Sequence, residues 1–347
     1  MKWRVTEPVV VAACGVIGLL ALAANPPVLG LVPSDTWRLN AWNAGPGRAH
    51  LELSRSRLGS QSVDGRDYEL NELAGLSAGQ VKSIHAKVRF ALERDAGTIV
   101  CEGVLMGGVG RGTFGFAPNA TFVAQMRKLG IDDLDPDRLL SMALADVSMS
   151  FARRVVDAGL RDISAQQLIR FRHRNINGEY IVEIRRAGYD VSADELVRMK
   201  DHGVDIRYLR ELKSGGRDFR VDEIVRLHDH GVRAEFTADL KRSGYELESE
   251  QIVRLHDHGV DADYLRRLKE SAYPFRPDEI VRLRDHGVSA DFPRQLQASG
   301  YGDLTAEQMI RMWENGVNGG YVAHLAASGL KNLSPEQIIK LKQHGID

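Results

Sequence analysis

Histidine, aspartate and arginine recur in this chain at spacings that invite a chemical reading. His202, His230, His258, His286 and His344 form one column, and His228 and His256 form a second. Imidazole is the commonest metal ligand, so a zinc site is the first chemistry to weigh. Geometry counts against it. Histidines two apart on a helix, such as His228 and His230, point to different sides. Equivalents on adjacent helices stand roughly 8–10 Å apart, whereas each ligand of one zinc needs a Zn–N distance near ~2.0–2.1 Å. A histidine in the last turn of a helix is favoured by the dipole without any metal.

Three other stretches invite the same question. Asp132-Asp133-Leu134-Asp135-Pro136-Asp137 suggests calcium, but Arg138 and Leu144 stand where a calcium loop has glycine and a bidentate glutamate, so helix capping is the better reading. The glycine-rich stretch 107–112 could cradle phosphate only with a helix opening after it, and Thr113, Phe114 and Phe116 follow as a strand. A tight turn is expected there. Cys14 and Cys101 are too few for a disulfide framework or a multi-cysteine zinc site. There is no His-Glu-x-x-His and no Walker loop. No catalytic residue, cofactor or metal is assigned, and the chain is not expected to be an enzyme. A hydrolase using the His-rich helix ends is the remote alternative.

Arg198, Arg226, Arg254, Arg282 and Arg311 share one equivalent position, with Arg170 before them and Lys340 after. Each follows a polar or acidic residue by four, as Arg198 follows Asp194 and Arg226 follows Asp222. The plain reading is an intrahelical pair of ~0.2–0.5 kcal/mol on a solvated face. The functional reading makes these five arginines a ladder that binds a protein or peptide partner.

A repeat positions all of these side chains. Asp201-His202-Gly203 returns at Asp229-His230-Gly231, Asp257-His258-Gly259 and Asp285-His286-Gly287, with a step of 28 residues each time. Degenerate copies follow at Glu314-Asn315-Gly316 and Gln343-His344-Gly345, after steps of 29. A period of this size marks stacked helix pairs, none of which can bury its apolar face alone. In each unit a capping residue precedes first-turn acids, as Ser192 precedes Asp194 and Glu195. Apolar residues such as Leu196, Val197 and Met199 follow, then a terminal glycine, then a valine that packs back over the helix end. A second helix presents Tyr208, Leu209 and Leu212, or Tyr264, Leu265 and Leu268. Gly216, Gly188, Gly159 and Gly130 carry the pattern back to Pro118, with Asn175 replacing glycine at one helix end. This reading counts a half-unit and seven first helices.

Upstream the period becomes two. His50-Leu51-Glu52-Leu53-Ser54 alternates, as does the stretch 86–93 with Val88, Phe90 and Leu92 on one face. Asp95-Ala96-Gly97 turns the chain into a returning strand at 98–104, and Ser77 can cap a short helix. The fold class is therefore α+β: an antiparallel β domain over residues 37–117, then an α-solenoid of helix-pair repeats over residues 118–347. Residues 25–36 form a linker in which Pro26, Pro27 and Pro33 prevent helix. In residues 1–24, Lys2 and Arg4 precede a long apolar run, the order of a signal anchor that leaves the bulk of the chain outside the cytoplasm. A signal peptide cleaved after Ala21-Leu22-Ala23 and a lipoprotein signal at Cys14 are the alternatives. Lysine plus arginine (46) nearly balance aspartate plus glutamate (47), so no global field draws the chain to nucleic acid.

The block Phe90-Ala91-Leu92-Glu93-Arg94-Asp95-Ala96-Gly97-Thr98, then Cys101-Glu102-Gly103, Gly112-x-Phe114-x-Phe116 and the Asp-His-Gly-Val units, resembles the extracytoplasmic part of bacterial membrane proteins related to the BlaR1-type sensors. In those, such segments can follow a membrane-embedded metallopeptidase. The likeness covers about residues 80–347 and brings no catalytic residue, because the family's zinc motif and multispan region are lacking here. It implies a sensor-like or scaffold part in a bacterial envelope. The expectation is a membrane-anchored, extracytoplasmic protein- or peptide-interaction module in envelope sensing or signalling. The alternative is a structural spacer.

Overall fold

The computed structural model describes residues 35–42, 44–57, 60–271 and 273–346. By contacts the chain divides into two compact units, Met1–Glu93 with Thr98–Ala117, and Arg94–Gly97 with Pro118–Asp347. The expected anchor, residues 1–24, and the linker up to residue 34 lie outside the described residues. Among the described residues no helix is long and apolar enough to cross a membrane.

The first unit is an antiparallel sheet of β1 (Thr36–Asn40), β2 (Arg48–Arg57), β3 (Ser60–Glu69), β4 (Leu73–Ala74), β5 (Ala86–Arg94), β6 (Gly97–Met106) and β7 (Val109–Pro118), with the short helix α1 (Ala78–Lys82) between β4 and β5. The spatial order is β3-β2-β1-β7-β6-β5-β4. β1 takes in Thr36, which the sequence places in the linker. Alternation puts Trp37, Leu39, Leu51, Leu53, Phe90, Leu92 and Phe114 into the core.

Trp37 explains the glycines. Its ring meets Phe90 edge-on at 5.1 Å, and its Nε1 donates to the Glu102 carbonyl at 3.1 Å. A methyl group at Gly103 or Gly112 would come within 2.7 Å of that indole, and one at Gly110 within 3.0 Å. The turn expected over 107–112 is thus confined to Gly107 and Gly108, at φ +52° and +82°, the both-positive geometry of a two-residue hairpin. Gly110 and Gly112 lie inside β7 and make room for the indole.

The second unit is a succession of short helices: α2 (Ala120–Lys128), α3 (Pro136–Leu144), α4 (Met149–Asp157), α5 (Ala165–His173), α6 (Gly178–Arg186), α7 (Ala193–Asp201), α8 (Ile206–Ser214), α9 (Val221–Asp229), α10 (Ala234–Arg242), α11 (Ser249–Asp257), α12 (Ala262–Glu270), α13 (Pro277–Asp285), α14 (Phe292–Ala298), α15 (Ala306–Glu314), α16 (Gly319–Ala327) and α17 (Pro335–Gln343). From α2 onward each helix touches the helix two places along, odd on odd and even on even. At ~1.5 Å per residue these helices are about 14 Å long, too short to persist without neighbours. The repeated triplets, Ile224, Val225 and Leu227 among them, are buried.

Helix ends follow local chemistry. Ser164, Ser192, Thr305 and Ser334 cap their helices through the side chain. Arg220 and Arg276 cannot, and there the side chains of Glu223 and Glu279 reach back to the free N–H at 2.9 and 2.8 Å. Gly203, Gly231, Gly259 and Gly287 sit at φ +66° to +72°, and Asn175 takes the same region at +53°. The count of seven first helices is one short: the described residues contain eight, α3 to α17 by odd number. At the end of α3, whose capped start at Asp135-Pro136 is expected from the sequence, Asp146 at φ +56° stands where most units have glycine, and a short polar side chain tolerates that region.

Candidate interaction surface

The Asp-His-Gly tripeptide is a joint between units. His202 Nδ1 lies 2.8 Å from Asp229, His230 2.9 Å from Asp257, His258 2.8 Å from Asp285, and His286 2.6 Å from Glu314. At the early end Arg174 Nε meets Asp201 at 2.5 Å, and at the late end Gln343 donates to Asn315 at 2.8 Å. Each of these acids is the last residue of its helix, where the negative dipole end disfavours it. A donor from the preceding unit offsets that. At Asp201 the Arg174 hydrogen bond holds the carboxyl below its ordinary range. Among the described residues no group of three or more His, Cys, Asp or Glu is placed to hold a metal ion.

The second histidine column packs on aromatic rings. His228 meets Tyr208 edge-on at 5.2 Å, and His256 meets Phe236 at 6.1 Å. The equivalent place holds Arg172 over Phe151, Lys200 over Tyr180, Arg284 over Tyr264, Trp313 against Phe292 and Lys342 over Tyr321, at 4.4–5.3 Å. In each pair the ring belongs to an even helix and its partner to the odd helix that follows. The tyrosines add a polar link: Tyr208 Oη donates to the Val232 carbonyl at 2.9 Å, and Tyr264 Oη to that of Val288 at 3.0 Å. Burial pushes both phenols well above their ordinary pKa. Among the described residues Tyr180 Oη is buried with no partner.

The five arginines of the expected ladder lie on successive odd helices, α7, α9, α11, α13 and α15. Each of these helices touches the next, so the arginines form one row. Their pairing differs from the expectation. Asp194 takes Arg170 of the preceding unit at 2.7 Å, not Arg198 four residues on. Arg254 likewise meets Asp278 at 2.5 Å, and Arg282 meets Glu307. An arginine in the last turn reaches across to the first-turn acid of the neighbouring helix rather than back along its own axis. Arg311 alone keeps the intrahelical pair, 3.9 Å from Glu307. Arg198 and Arg226 make no ion pair with any described residue. Arg226 and Arg254 face one shallow groove of about 400 Å³ with Glu250.

The acidic stretch supplies caps. Asp135 accepts from the Arg138 N–H at 2.8 Å, and Asp133 accepts from the Ala165 N–H, opening α5, at 2.8 Å. Gly75-Leu76-Ser77-Ala78-Gly79 spells Gly-x-Ser-x-Gly, the nucleophile turn of many hydrolases. Here Ser77 is extended at φ −97° and ψ 151°, without the strain of that turn. Its hydroxyl is spent on Gln80, accepting from the N–H at 3.2 Å and donating to Oε1 at 2.9 Å. Compared with known proteins, the chain matches no family model and none of the curated proteins.

Proposed function

We propose that the helical unit is an α-solenoid of helix-pair repeats serving as a protein- or peptide-interaction module, held outside a bacterial cytoplasmic membrane by the N-terminal segment and acting in envelope sensing or signalling. The period of 28 residues and the two-along helix contacts support the solenoid. One observation carries the interaction reading: Arg198 and Arg226 lie on adjacent odd helices of the row without an ion pair to any described residue, between Arg170 and Arg254, which have one. Two such guanidiniums on adjacent packed helices offer a preorganised contact for an acidic segment of a partner.

The test is a photo-crosslinking side chain at position 226 of the full chain in intact cells. A discrete adduct that disappears when Arg198→Glu is added, and that is absent with the crosslinker at Glu235 on α10, supports the module. No adduct from position 226 overturns it and leaves the spacer, a reading favoured by how many of the repeated charges already join unit to unit.

A further inference from the structure

The sheet has a second face, opposite the Trp37 core, and its charges do not balance. In register, Arg38 on β1 stands directly between Arg111 on β7 and Glu52 on β2. Like charges directly opposite on neighbouring strands repel, so such a pair needs a counter-charge. Most nearby acids are engaged elsewhere: Asp67 is 2.6 Å from His50, Glu102 is 3.2 Å from Arg89, and Glu69 is 3.4 Å from Arg48. Neither Arg38 nor Arg111 makes an ion pair or hydrogen bond with its side chain to any described residue. Both line a groove of about 680 Å³, within the range of small-molecule sites. On the β2 side Asn40 and His50 complete its polar lining, and on the other side Val104 with Met106 and Val109 form an apolar wall, the last two 56% and 49% exposed.

We propose that this groove binds a small amphiphilic carboxylate, with the carboxylate over Arg38 and Arg111 and the apolar body against Val104, Met106 and Val109. Paired guanidiniums suit a planar carboxylate. Two arginines with Glu52 leave one net positive charge, which matches a monoanion better than a phosphate dianion. This site lies within the β unit and is independent of the arginine row on the helices.

The experiment is calorimetric titration of the full chain with 4-phenylbutyrate, 4-phenylbutanol and inorganic phosphate, repeated for Arg38→Gln and Arg111→Gln. Saturable binding of 4-phenylbutyrate is expected, at least tenfold weaker for the alcohol, for phosphate and for either variant. Because each substitution removes a like-charge contact on an exposed face, both variants are expected to melt no lower than the parent, which separates lost binding from lost folding. No binding of the carboxylate overturns the proposal. So does equal binding of the alcohol or of phosphate, or affinity retained in both variants.

Discussion

Gly231 and Gly112 are glycines for different reasons, and substitutions should separate them. Gly231 ends a helix at φ +69°, and an added Cβ would meet nothing within 4 Å. Gly231→Val should therefore lower the thermal midpoint through backbone strain alone, on the order of 1 kcal/mol or more. At Gly112 a Cβ would sit 2.0 Å from the Glu102 carbonyl oxygen as well as against Trp37. Gly112→Ala should cost more, about 3 kcal/mol or above, because backbone and a buried indole must both move. Denaturant melts of the two variants check the order; a smaller loss at Gly112 would contradict the packing described for Trp37. The tyrosines give a second contrast. Tyr208→Phe should lose ~0.5–1.5 kcal/mol with its bond to Val232, whereas Tyr180→Phe should be neutral or stabilising, since its hydroxyl is buried without a partner among the described residues.

At the scale of the element, the odd helices are joined by contacts one period apart. The His230–Asp257 and Arg254–Asp278 links are exposed, so a double-mutant cycle on either should give a coupling of ~0.2–1 kcal/mol. Stability rests on the buried triplets, and the charged joints set register. Asp201 adds a pH dependence of known sign. Its carboxyl is held low by the Arg174 hydrogen bond, so its contribution is present above the ordinary carboxylate pKa and is lost as pH falls through the depressed value. Asp201→Asn should therefore narrow the gap in melting temperature between neutral and acidic buffer; an unchanged gap would sink the link. The caps, the helix-ending glycines and the buried triplets were legible because each depends on residues a few places apart. The joints were not. A local pattern places His230 at a helix end but does not say that the nearest acid belongs to the next odd helix. In the sheet, β3 escaped because Ser60–Glu69 has only two large apolar residues, Val63 and Tyr68, at positions of opposite parity, and so shows no apolar alternation.

At the scale of the molecule, helices that pack on the helix two along and seat a ring against the next one should tolerate shortening. A chain ending at residue 318 loses α16 and α17 but keeps every contact among α3 to α13. Its far-ultraviolet dichroism per helical residue should stay close to that of the full chain, and collapse of the signal would argue for a single interdependent core. The α+β class was legible because the hydrophobic period changes from two to 3.6 near residue 118. The twin arginines on the open sheet face were not, since their adjacency arises from β1 pairing with β7, strands far apart in the chain.

From α4 to α16 the ring on each even helix accepts Arg, Lys, His or Trp from the helix that follows. A socket that takes several plugs frees any one copy from matching a particular neighbour. Duplication or loss of a single 28-residue block would then leave both flanking seams serviceable, making length the property that such a chain can change most easily.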